Sequence, residues 1–502
     1  MKTISDLFLS TVKKHSDRTA VVEGDRRSTY RDLDLIVRDL SSFLTSQGIE
    51  KGDRVAVFLP NSVEFVASFF SIASLGAISV PINNAYKEEE VKFYISHSSA
   101  KLLLTEDKLT PLAEKAALDT GATVVAIKGD KTDWLYPDSN TASPAGALIK
   151  PSVREIKFTI LPTEDEAIYL YSTGSTGKPK RVSRTHFNLI ALADNHTQTV
   201  GWTEEDRILF TVPISHTYGF GNFISAVKAG ACLYVLSEFN RNKVIDLIEK
   251  ESITVFPAVP FMLNVLAETF LPKPRDFSSL KLVISAGAPL SKEIFHKFHD
   301  KFGIYPRQLY GSTETGVISI NLSNNIKDKH DSVGRPVKNV EVRILKEDGS
   351  PAKVNETGEI TVRSPSMTSG YYGLPEETEK AFRNGFYFTG DLGRIDEEGY
   401  IYITGRRKLF INIGGNKVDP QEVENVLLRH PQVREAVVIG IKDDKGEELV
   451  KAIIVATDKI EAKDIYEFCR GRISDFKIPR IIEFRQEIPK SPTGKVLREY
   501  LK

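Results

Sequence analysis

Hydrophobic residues recur at helical and strand spacings in the N-terminal part of the chain. From Tyr30 to Gly48 the apolar positions fall three or four residues apart, as on one buried helix face, and Gly48 can adopt the left-handed conformation that ends a helix. The apolar run 55–59 predicts a buried strand, and residues 65–76 predict the next helix. Strand, helix and strand then follow at 78–81, 88–97 and 101–105.

The same alternation returns further along the chain. Short apolar runs that predict strands, with helical patterns between them, occur at 208–212, 232–236, 254–259 and 282–286. Parallel strands need helical crossovers, and these helices must cover the faces of the sheet. The pattern therefore predicts an α/β fold, with packed α/β subdomains through most of the first four hundred residues.

From Val340 the pattern changes to residue-by-residue alternation. Val340, Val342 and Ile344 alternate with polar positions, as do residues 359–363, and Gly and Asp turns separate the runs. Such alternation is typical of antiparallel strands. It predicts a small, β-barrel-like subdomain at about 335–404, within an N-terminal domain of residues 1–404.

A second domain is predicted over residues 405–502. A strand at 400–404 leads into Gly405, and Asp419, Pro420 and Glu422 are typical of a helix start. Glu422 and Glu424 then fit a capping role and an exposed helix face. Strand, strand and helix patterns at 435–441, 450–456 and 462–474 complete a small, mobile α+β lid domain.

Composition excludes several classes of protein. The 502 residues are 41% hydrophobic and 27% charged, and they contain no apolar run of the roughly 20 residues that span a bilayer. Sixty-seven basic residues balance 67 acidic ones, so the net charge does not favour binding to nucleic acid or anionic lipid. Two cysteines, Cys232 and Cys469, exclude a disulfide framework and thiolate metal clusters. The start of the chain lacks a secretory pattern, so a cytoplasmic enzyme is expected.

The segment 171–180, YSTGSTGKPK, is the sharpest chemical signal in the sequence. Its glycines and hydroxyl residues leave backbone amides and side-chain donors free to surround phosphate oxygens, and Lys178 and Lys180 add positive charge. The spacing is not that of a Walker A loop. Taken alone, the segment also fits a flexible surface turn.

Five further blocks follow in order, and together with this loop they resemble the adenylate-forming superfamily of acyl-CoA synthetases, peptide-synthetase adenylation domains and firefly-type luciferases. The blocks are PISHTYGF at 213–220, YGSTE at 310–314, GFYFTGD at 385–391, GRRKLFINIGGNKVDPQEVE at 405–424 and PKSPTGK at 489–495. The resemblance covers nearly the whole chain. One departure is Arg181, where the family usually has glycine.

The resemblance implies a nucleotide site. Family enzymes attack the α-phosphate of ATP with a carboxylate, release pyrophosphate and pass the acyl-adenylate to a thiol. In the first step the phosphate loop holds the β- and γ-phosphates. Residues 310–314, which include Gly311, form the floor of the nucleotide site, with Tyr310 against the adenine, Thr313 at the α-phosphate and Glu314 on Mg²⁺. The expected phosphate-loop residues are Ser172, Thr173, Gly174, Ser175, Thr176 and Lys180, and the expected residues on the other side of the adenine are Ala286, Gly287 and Ala288.

The resemblance also assigns residues near and beyond position 390. Asp391 is the expected ribose ligand, with Arg406 as its partner. Lys495 is the expected catalytic lysine, which approaches both the substrate carboxylate and the α-phosphate. Lys408 is the expected hinge for a large rotation between the half-reactions, and Gly414 and Gly415 would then border the thiol tunnel.

The acyl pocket is predicted around His216, in the PISHTYGF block. Adenylation domains for α-amino acids place an aspartate there to pair with the ammonium group, and this block has none. A buried cation without a counter-charge is costly, so the acid is expected to lack an α-amino group. The candidate pocket residues, each of which also fits the hydrophobic core, are His216, Tyr218, Phe220, Phe256, Phe261, Ala286 and Val317.

The sequence therefore predicts an acyl-CoA synthetase for a fatty or aromatic acid, with ATP, Mg²⁺ and CoA as cofactors. An acyl-AMP ligase that loads the phosphopantetheine arm of an acyl or peptidyl carrier protein is the main alternative. A catalytically dead binding protein is disfavoured by Lys180, Glu314, Asp391 and Lys495, and luciferase-type oxidation would be a rarity. A monomer or homodimer is expected, without nucleic acid or integral membrane association.

Overall fold

The computed structural model describes residues 3–127, 135–136, 163–173, 179–406, 411–413, 416–418, 420–442, 448–470, 472–473, 475–491 and 496–501. These residues form two compact units. The larger unit draws its described residues from 1–173, 179–342 and 362–387, and the smaller unit from 343–361 and 388–502.

The described part of the chain contains thirteen α-helices and twenty-six β-strands. The helices are α1 Ile4–His15, α2 Tyr30–Ser46, α3 Val63–Ser74, α4 Glu88–Ser98, α5 Thr110–Ala117, α6 His186–Val200, α7 Thr217–Ala229, α8 Arg241–Lys250, α9 Pro260–Glu268, α10 Lys292–Phe302, α11 Pro375–Ala381, α12 Pro420–Leu427 and α13 Ala462–Cys469. The strands are β1 Thr19–Glu23, β2 Arg26–Thr29, β3 Arg54–Phe58, β4 Ile78–Pro81, β5 Leu102–Glu106, β6 Thr123–Ile127, β7 Leu135–Tyr136, β8 Glu166–Thr173, β9 Pro179–Thr185, β10 Arg207–Phe210, β11 Cys232–Val235, β12 Val255–Ala258, β13 Leu282–Ser285, β14 Arg307–Ser312, β15 Gly316–Ile320, β16 Arg335–Pro336, β17 Glu341–Leu345, β18 Gly358–Arg363, β19 Phe382–Arg383, β20 Phe386–Ile395, β21 Ile401–Arg406, β22 Ile411–Ile413, β23 Asn416–Val418, β24 Val433–Lys442, β25 Glu448–Ala456 and β26 Ile481–Phe484.

A seven-stranded sheet in the larger unit carries the phosphate loop. Its order is β7-β6-β5-β3-β4-β8-β9. The strands from β6 to β8 are parallel, whereas β7 and β9 pair antiparallel at the two edges. The β8–β9 hairpin therefore brings the two ends of the 171–180 segment together at one edge of the sheet.

A nine-stranded sheet in the same unit has the order β16-β15-β14-β13-β12-β10-β11-β1-β2. The six strands from β14 to β1 are parallel. Strand β15 pairs antiparallel with β14, β16 pairs antiparallel with β15, and β2 pairs antiparallel with β1. Helices α7, α8 and α9 connect β10, β11, β12 and β13, as the alternating sequence pattern predicts.

One hydrophobic core contains side chains from both sheets. Val55 and Val57 of β3 belong to the same buried cluster as Leu209 of β10. At its centre, Phe69 of α3 packs edge to face against Phe220 of α7 at a centroid distance of 5.0 Å. Because the sheets share this core, they form a single packed unit.

Both cysteines are buried. Cys232 begins β11, and burial raises the pKa of its thiol to about 12. Cys469 ends α13, and burial also raises the pKa of its thiol. A high thiol pKa disfavours the reactive thiolate.

Antiparallel strands occupy the region predicted to hold the small β subdomain. Strands β17, β18 and β20 each contribute residues to both units. In the smaller unit, β20 and β21 form an antiparallel pair in which Asp391 lies opposite Arg406. The change from α/β to antiparallel pattern at Val340 marks this region.

The C-terminal part of the smaller unit is a three-stranded sheet, β24-β25-β26, with helices α12 and α13. Val423 of α12, Ile465 of α13 and Ile454 of β25 lie in its core. The predicted fold class, a large α/β domain with a small β subdomain and a small α+β domain, is confirmed. The boundary at 404/405 stays a prediction.

Two details of the smaller unit differ from expectation. Helix α13 ends at Cys469 and not at residue 474, because Arg470, with φ −57° and ψ 133°, has left the helical conformation, and Gly471 follows in the sequence. Glu424 is only 5% exposed, since its carboxylate accepts hydrogen bonds from the Val438 N–H and from Arg498, both at 2.8 Å. The predicted N-cap Asp419 lies outside the described residues.

None of the helices in the described ranges combines the length and the apolar character needed to cross a lipid bilayer.

Candidate active site

Three neighbouring parts of the nine-stranded sheet carry predicted site residues at their carboxyl ends. His216 follows β10, Ala286–Ala288 follow β13, and Tyr310 lies near the end of β14. Strand β12 lies between β10 and β13. Because these strands are parallel, their carboxyl ends meet at one edge, which is where open α/β sheets bind ligands.

The β14–β15 hairpin fixes the predicted nucleotide floor. A Cβ atom at Gly311 would lie 2.4 Å from the Gly316 carbonyl oxygen, so only glycine allows the two strands to approach so closely. Ser312 Oγ accepts a hydrogen bond from the Thr315 N–H at 3.1 Å. This tight turn holds Thr313 and Glu314 at the sheet edge.

Glu314 is a buried carboxylate, with 6% of its surface exposed. The Tyr371 hydroxyl donates a hydrogen bond to Glu314 Oε1 at 2.9 Å. Burial, with the nearby Glu314 charge as a second cause, raises the pKa of Tyr371. The phenol therefore stays protonated and remains a donor.

The second oxygen of Glu314 fits the magnesium role. Within the described ranges, Glu314 Oε2 has no hydrogen-bond partner, and no group of three His, Cys, Asp or Glu side chains could hold a metal. Mg²⁺ commonly binds one or two carboxylates together with phosphate oxygens and water, so a single available carboxylate oxygen suits it.

Arg184 of β9 joins the phosphate hairpin to the nucleotide floor. The side chain is 1% exposed, and its guanidinium donates to the Ser366 carbonyl at 2.9 Å and to the Thr313 carbonyl. Burial lowers the pKa of Arg184 to about 10, against the opposing effect of Glu314. It therefore remains a cation at neutral pH and links β9 to the turn that carries Thr313.

The β8–β9 hairpin places Ser172 opposite Lys180. Ser172 is partly buried and Lys180 is 9% exposed. The Lys180 ammonium lies 4.8 Å from the centre of the Tyr371 ring. Thr173 pairs through its backbone with Pro179. The predicted phosphate-loop residues Gly174, Ser175 and Thr176 lie outside the described residues.

The segment 366–378 completes this part of the site, and no sequence pattern singled it out. The Thr368 N–H donates to the Glu314 carbonyl at 2.9 Å, and the Thr368 hydroxyl donates to the Ser183 carbonyl at 2.7 Å. Tyr371 forms an antiparallel bridge with Val182. The segment therefore connects the β9 strand with the Glu314 turn.

Arg181, the departure from the family pattern, is built into the same region. It is 5% exposed, and its guanidinium carbon lies 4.2 Å from the centre of the Tyr169 ring and 3.0 Å from that of Tyr372. Its carbonyl accepts a hydrogen bond from the Tyr372 N–H at 3.2 Å. The arginine therefore fixes segment 366–378 against β9 through stacking on both rings.

His216 is the N-cap of α7. Its Nδ1 accepts a hydrogen bond from the Tyr218 N–H at 3.3 Å, so in the neutral ring Nε2 carries the proton. A Cβ atom at Gly219 would lie 2.1 Å from the Pro213 carbonyl oxygen. Glycine at this position lets the first turn of α7 fold back on the chain that leads to His216.

The candidate acyl-pocket residues fall into different environments. The Tyr218 hydroxyl donates to the Ile284 carbonyl at 3.1 Å, and burial raises the pKa of Tyr218. The exposed fractions of the others are 1% for Phe220, 0% for Phe256, 4% for Ala286, 8% for Val317 and 56% for Phe261. Phe220 lies in the phenylalanine cluster of the core, and Phe261 lies at the surface of α9. The contact of these residues with the acid stays a prediction.

In the smaller unit, Asp391 and Arg406 form an ion pair. Asp391 is 5% exposed, and Arg406 Nε lies 2.6 Å from its Oδ1. The Thr389 hydroxyl accepts a hydrogen bond from the Asp391 N–H at 3.0 Å. Lys408, Gly414, Gly415 and Lys495, to which the resemblance assigns the hinge, the thiol tunnel and catalysis, lie outside the described residues.

Sequence reasoning missed Arg184, Tyr371 and Glu377, the last of which contacts Lys180. Arg184 and Thr313 are 129 positions apart, and Tyr371 and Glu314 are 57 apart. No local motif joins these pairs. Only the Gly-Tyr-Tyr-Gly run at 370–373 could have marked the segment as a turn region.

A buried carboxylate beside one sheet, tied through Arg184 to a lysine-bearing hairpin of a second sheet, and an α+β domain further along the chain are the features expected of an adenylate-forming enzyme. The chain belongs to the AMP-binding enzyme family, because that family's sequence profile matches residues 8–372 and the profile of the AMP-binding enzyme C-terminal domain matches residues 422–495. The resemblance stated from the motifs is confirmed.

Curated relatives cover nearly the whole chain. A long-chain-fatty-acid–CoA ligase of Mycobacterium tuberculosis is 33% identical over 483 residues, which are 95% of this chain and 93% of the relative. A 4-coumarate–CoA ligase of Arabidopsis thaliana is 30% identical over 516 residues, 97% of this chain and 88% of the relative.

Solved structures agree in fold. ATP-bound MatB from Rhodopseudomonas palustris has a TM-score of 0.87 at 27% identity, covering 99% of this chain and 98% of that one. The o-succinylbenzoate CoA synthetase of Bacillus subtilis, solved with its acyl-adenylate intermediate, has a TM-score of 0.87 at 28% identity, covering 99% and 97%.

Proposed function

We propose that this protein is an AMP-forming acid–thiol ligase that activates a fatty or aromatic carboxylic acid and transfers it to CoA. In the first half-reaction, a carboxylate oxygen attacks the α-phosphorus of ATP, the bond to the β-phosphate oxygen breaks, and pyrophosphate leaves. In the second, the CoA sulfur attacks the acyl carbon, AMP leaves, and the thiol proton passes to solvent.

The larger unit supplies the phosphate and metal contacts. Ser172 and Lys180 hold the β- and γ-phosphates together with the loop between them, and Thr313 binds the α-phosphate. Glu314 holds Mg²⁺, which neutralises charge on the phosphate oxygens when bound. Fixed positive charges and donors of this kind stabilise the negative charge that develops at the transferred phosphoryl group.

The observation that carries this proposal is the link made by Arg184. Its two hydrogen bonds hold the β8–β9 hairpin, with Lys180, next to the turn that bears Thr313 and Glu314. One group that carries three phosphates can therefore contact both the lysine and the carboxylate-bound metal. A site for an uncharged ligand would not need this concentration of charge.

The substrate assignment follows from the His216 region. Residues 213–220 contain no acidic side chain that could pair with an α-ammonium group. Named relatives act on a long-chain fatty acid and on 4-coumarate, which are acids without that group. We therefore assign this chain a fatty or aromatic acid as substrate.

The smaller unit completes the reaction in this proposal. Asp391, fixed by Arg406, binds the ribose hydroxyls, and Lys495 approaches the reacting carboxylate and α-phosphate. Lys408 serves as the hinge between the two half-reactions. A hinge needs only a few residues whose backbone angles can change.

The test is a pyrophosphate-release screen of the purified chain over acetate, medium and long fatty acids, benzoates, cinnamates and amino acids. We expect release with fatty or aromatic acids, and thioester formation when CoA is added. Activity with amino acids alone would overturn the substrate assignment. Transfer to a phosphopantetheine carrier protein but not to CoA would overturn the acceptor.

A further inference from the structure

The ammonium of Lys180 is held by an acid from the chain itself. Lys180 forms an ion pair with Glu377, the third residue of α11. The lysine side chain is 10% exposed, whereas that of Glu377 is 35% exposed. The cation is thus the fixed member of this pair, and the carboxylate is the member that can turn toward water.

The position of Glu377 is set by contacts of its neighbour, Thr378, with the chain that leads into α11. The Tyr371 N–H donates to the Thr378 hydroxyl at 2.9 Å, and that hydroxyl donates to the Leu374 carbonyl at 2.9 Å. Gly370 lies so close that a Cβ atom there would be 2.3 Å from Thr378 Cγ2. The first turn of the helix therefore presents Glu377 to the lysine in a defined place.

A polyphosphate and Glu377 compete for one ammonium group. If Lys180 binds the β- and γ-phosphates, as the proposed function states, the phosphate oxygens approach the place that the carboxylate occupies. Like charges in a partly buried site repel one another strongly. The carboxylate must then leave the lysine, and the free energy of breaking the ion pair reduces the apparent affinity for the nucleotide.

We propose that Glu377 sets the affinity for ATP and pyrophosphate by occupying Lys180 until a polyphosphate displaces it. This inference rests on the proposed function, because it needs Lys180 to be a phosphate ligand. AMP lacks the β- and γ-phosphates, so it brings no phosphate group to Lys180 that would displace Glu377. Glu377 therefore acts selectively against polyphosphates, and it reduces retention of the pyrophosphate product.

The experiment compares Glu377→Gln with Glu376→Gln in the full chain. Both variants remove one negative charge from α11, but Glu376 is 89% exposed at its side chain and its carboxylate contacts only Lys380, at 4.0 Å, among the described residues. Binding of ATP, pyrophosphate and AMP is measured by calorimetric titration, with circular dichroism as a check of folding.

We expect Glu377→Gln to bind ATP and pyrophosphate about threefold to sixfold more tightly, because the nucleotide no longer has to break an ion pair that contributes up to about 1 kcal/mol. AMP binding should be unchanged. Glu376→Gln should bind all three like the unmodified protein. ATP binding by Glu377→Gln that is no tighter than that of the unmodified protein, or the same gain in both variants, would overturn the role of Glu377 and leave the proposed function intact. An unmodified protein that binds no ATP would overturn the proposed function as well.

Discussion

Tyr371 is the residue that contacts both charged partners of the phosphate site. Its hydroxyl donates to Glu314 Oε1 at 2.9 Å, and its ring lies 4.8 Å from the Lys180 ammonium. In the proposed function Glu314 holds Mg²⁺, so Tyr371 would act on the nucleotide through Glu314, as a positioning residue. A carboxylate held by one such donor keeps its other oxygen directed to a single place.

Replacing Tyr371 by Phe should weaken the use of Mg²⁺ and ATP. A hydrogen bond to a charged group contributes about 1.5–3 kcal/mol, so we expect kcat/KM for ATP to fall about tenfold or more, with a higher Mg²⁺ requirement. Steady-state kinetics at varied Mg²⁺ measures both. Tyr372→Phe is the control, because within the described part of the chain the Tyr372 hydroxyl has no hydrogen-bond partner. Equal losses in the two variants would contradict the positioning role.

Replacing Lys495 by Ala should separate the two half-reactions. The resemblance places this lysine at the reacting carboxylate and α-phosphate, so we expect acyl-adenylate formation to fall by about a hundredfold or more. Thioester formation from supplied acyl-adenylate should continue. Lys490→Ala is a matched control, since Lys490 pairs with Glu435. Equal loss in both half-reactions would count against the assignment.

Residues within motifs could be predicted from the sequence, and residues that act across the fold could not. Lys180 and Glu314 lie in short sequence motifs whose residue types indicate phosphate and metal binding. Arg184 gave no signal, because an arginine beside a motif is usually solvated, and only folding brings it to Thr313. Even so, the roles of Lys180 and Glu314 stay predictions until nucleotide binding is measured.

At the scale of single elements, α7 depends on a glycine in its first turn. The Cβ of an alanine at Gly219 would lie 2.1 Å from the Pro213 carbonyl oxygen, whereas one at Gly221 would meet only Leu192 Cδ2, at 3.6 Å. The two positions lie in the same helix, two residues apart. They therefore separate a steric effect from a change in helix propensity.

Gly219→Ala should destabilise the protein by about 1–3 kcal/mol, as overpacking does, and should displace His216 from its capping position. Gly221→Ala should be neutral or stabilise by up to about 1 kcal/mol, because alanine favours a helix over glycine. The midpoints of urea unfolding give both values. A Gly221→Ala variant as unstable as Gly219→Ala would show that the clash does not decide the result.

Secondary structure elements were more predictable than their ends. The strand predicted at 78–81 is β4, Ile78–Pro81, and the helix predicted from 88 is α4, because buried faces repeat at fixed periods. Helix α13 ends five residues before its predicted end at 474, because the spacing of apolar residues does not reveal that the chain leaves the helical conformation at Arg470. The buried position of Glu424 was also invisible, because its counter-charge, Arg498, comes 74 residues later.

At the scale of the whole molecule, two buried histidines make stability depend on pH. His186 and His196 are both 0% exposed, and burial lowers the pKa of each to about 4. In the unfolded chain a histidine takes up a proton near pH 6.5. Between these values the unfolded state binds more protons than the folded state, so stability falls as the pH falls.

We expect the free energy of unfolding to decrease from pH 6.5 to pH 4 by up to about 3 kcal/mol for each of these histidines. This free energy is measured by urea unfolding monitored through tryptophan fluorescence, since the ring centres of Trp202 and His196 lie 4.8 Å apart. His196→Phe should reduce the slope between these pH values, whatever its stability at pH 7. An unchanged slope would show that His196 does not titrate in this way.

The organisation of the molecule was predictable as far as its patterns are local. The alternation of strands and helices gave the α/β class, and the change at Val340 gave the antiparallel region. The order of the strands was not predictable, because β1 joins the nine-stranded sheet beside β11, more than two hundred residues later. The shared phenylalanine core of the two sheets likewise depends on contacts between distant helices.

The buried thiols matter for an enzyme whose second substrate is itself a thiol. Cys232 and Cys469 are the only sulfhydryl groups of the chain, and neither readily ionises. Coenzyme A in its oxidised, disulfide form would therefore find no nucleophile on the protein with which to exchange. The ligase should keep its activity under mild oxidation, when enzymes with exposed cysteines become covalently blocked by the coenzyme.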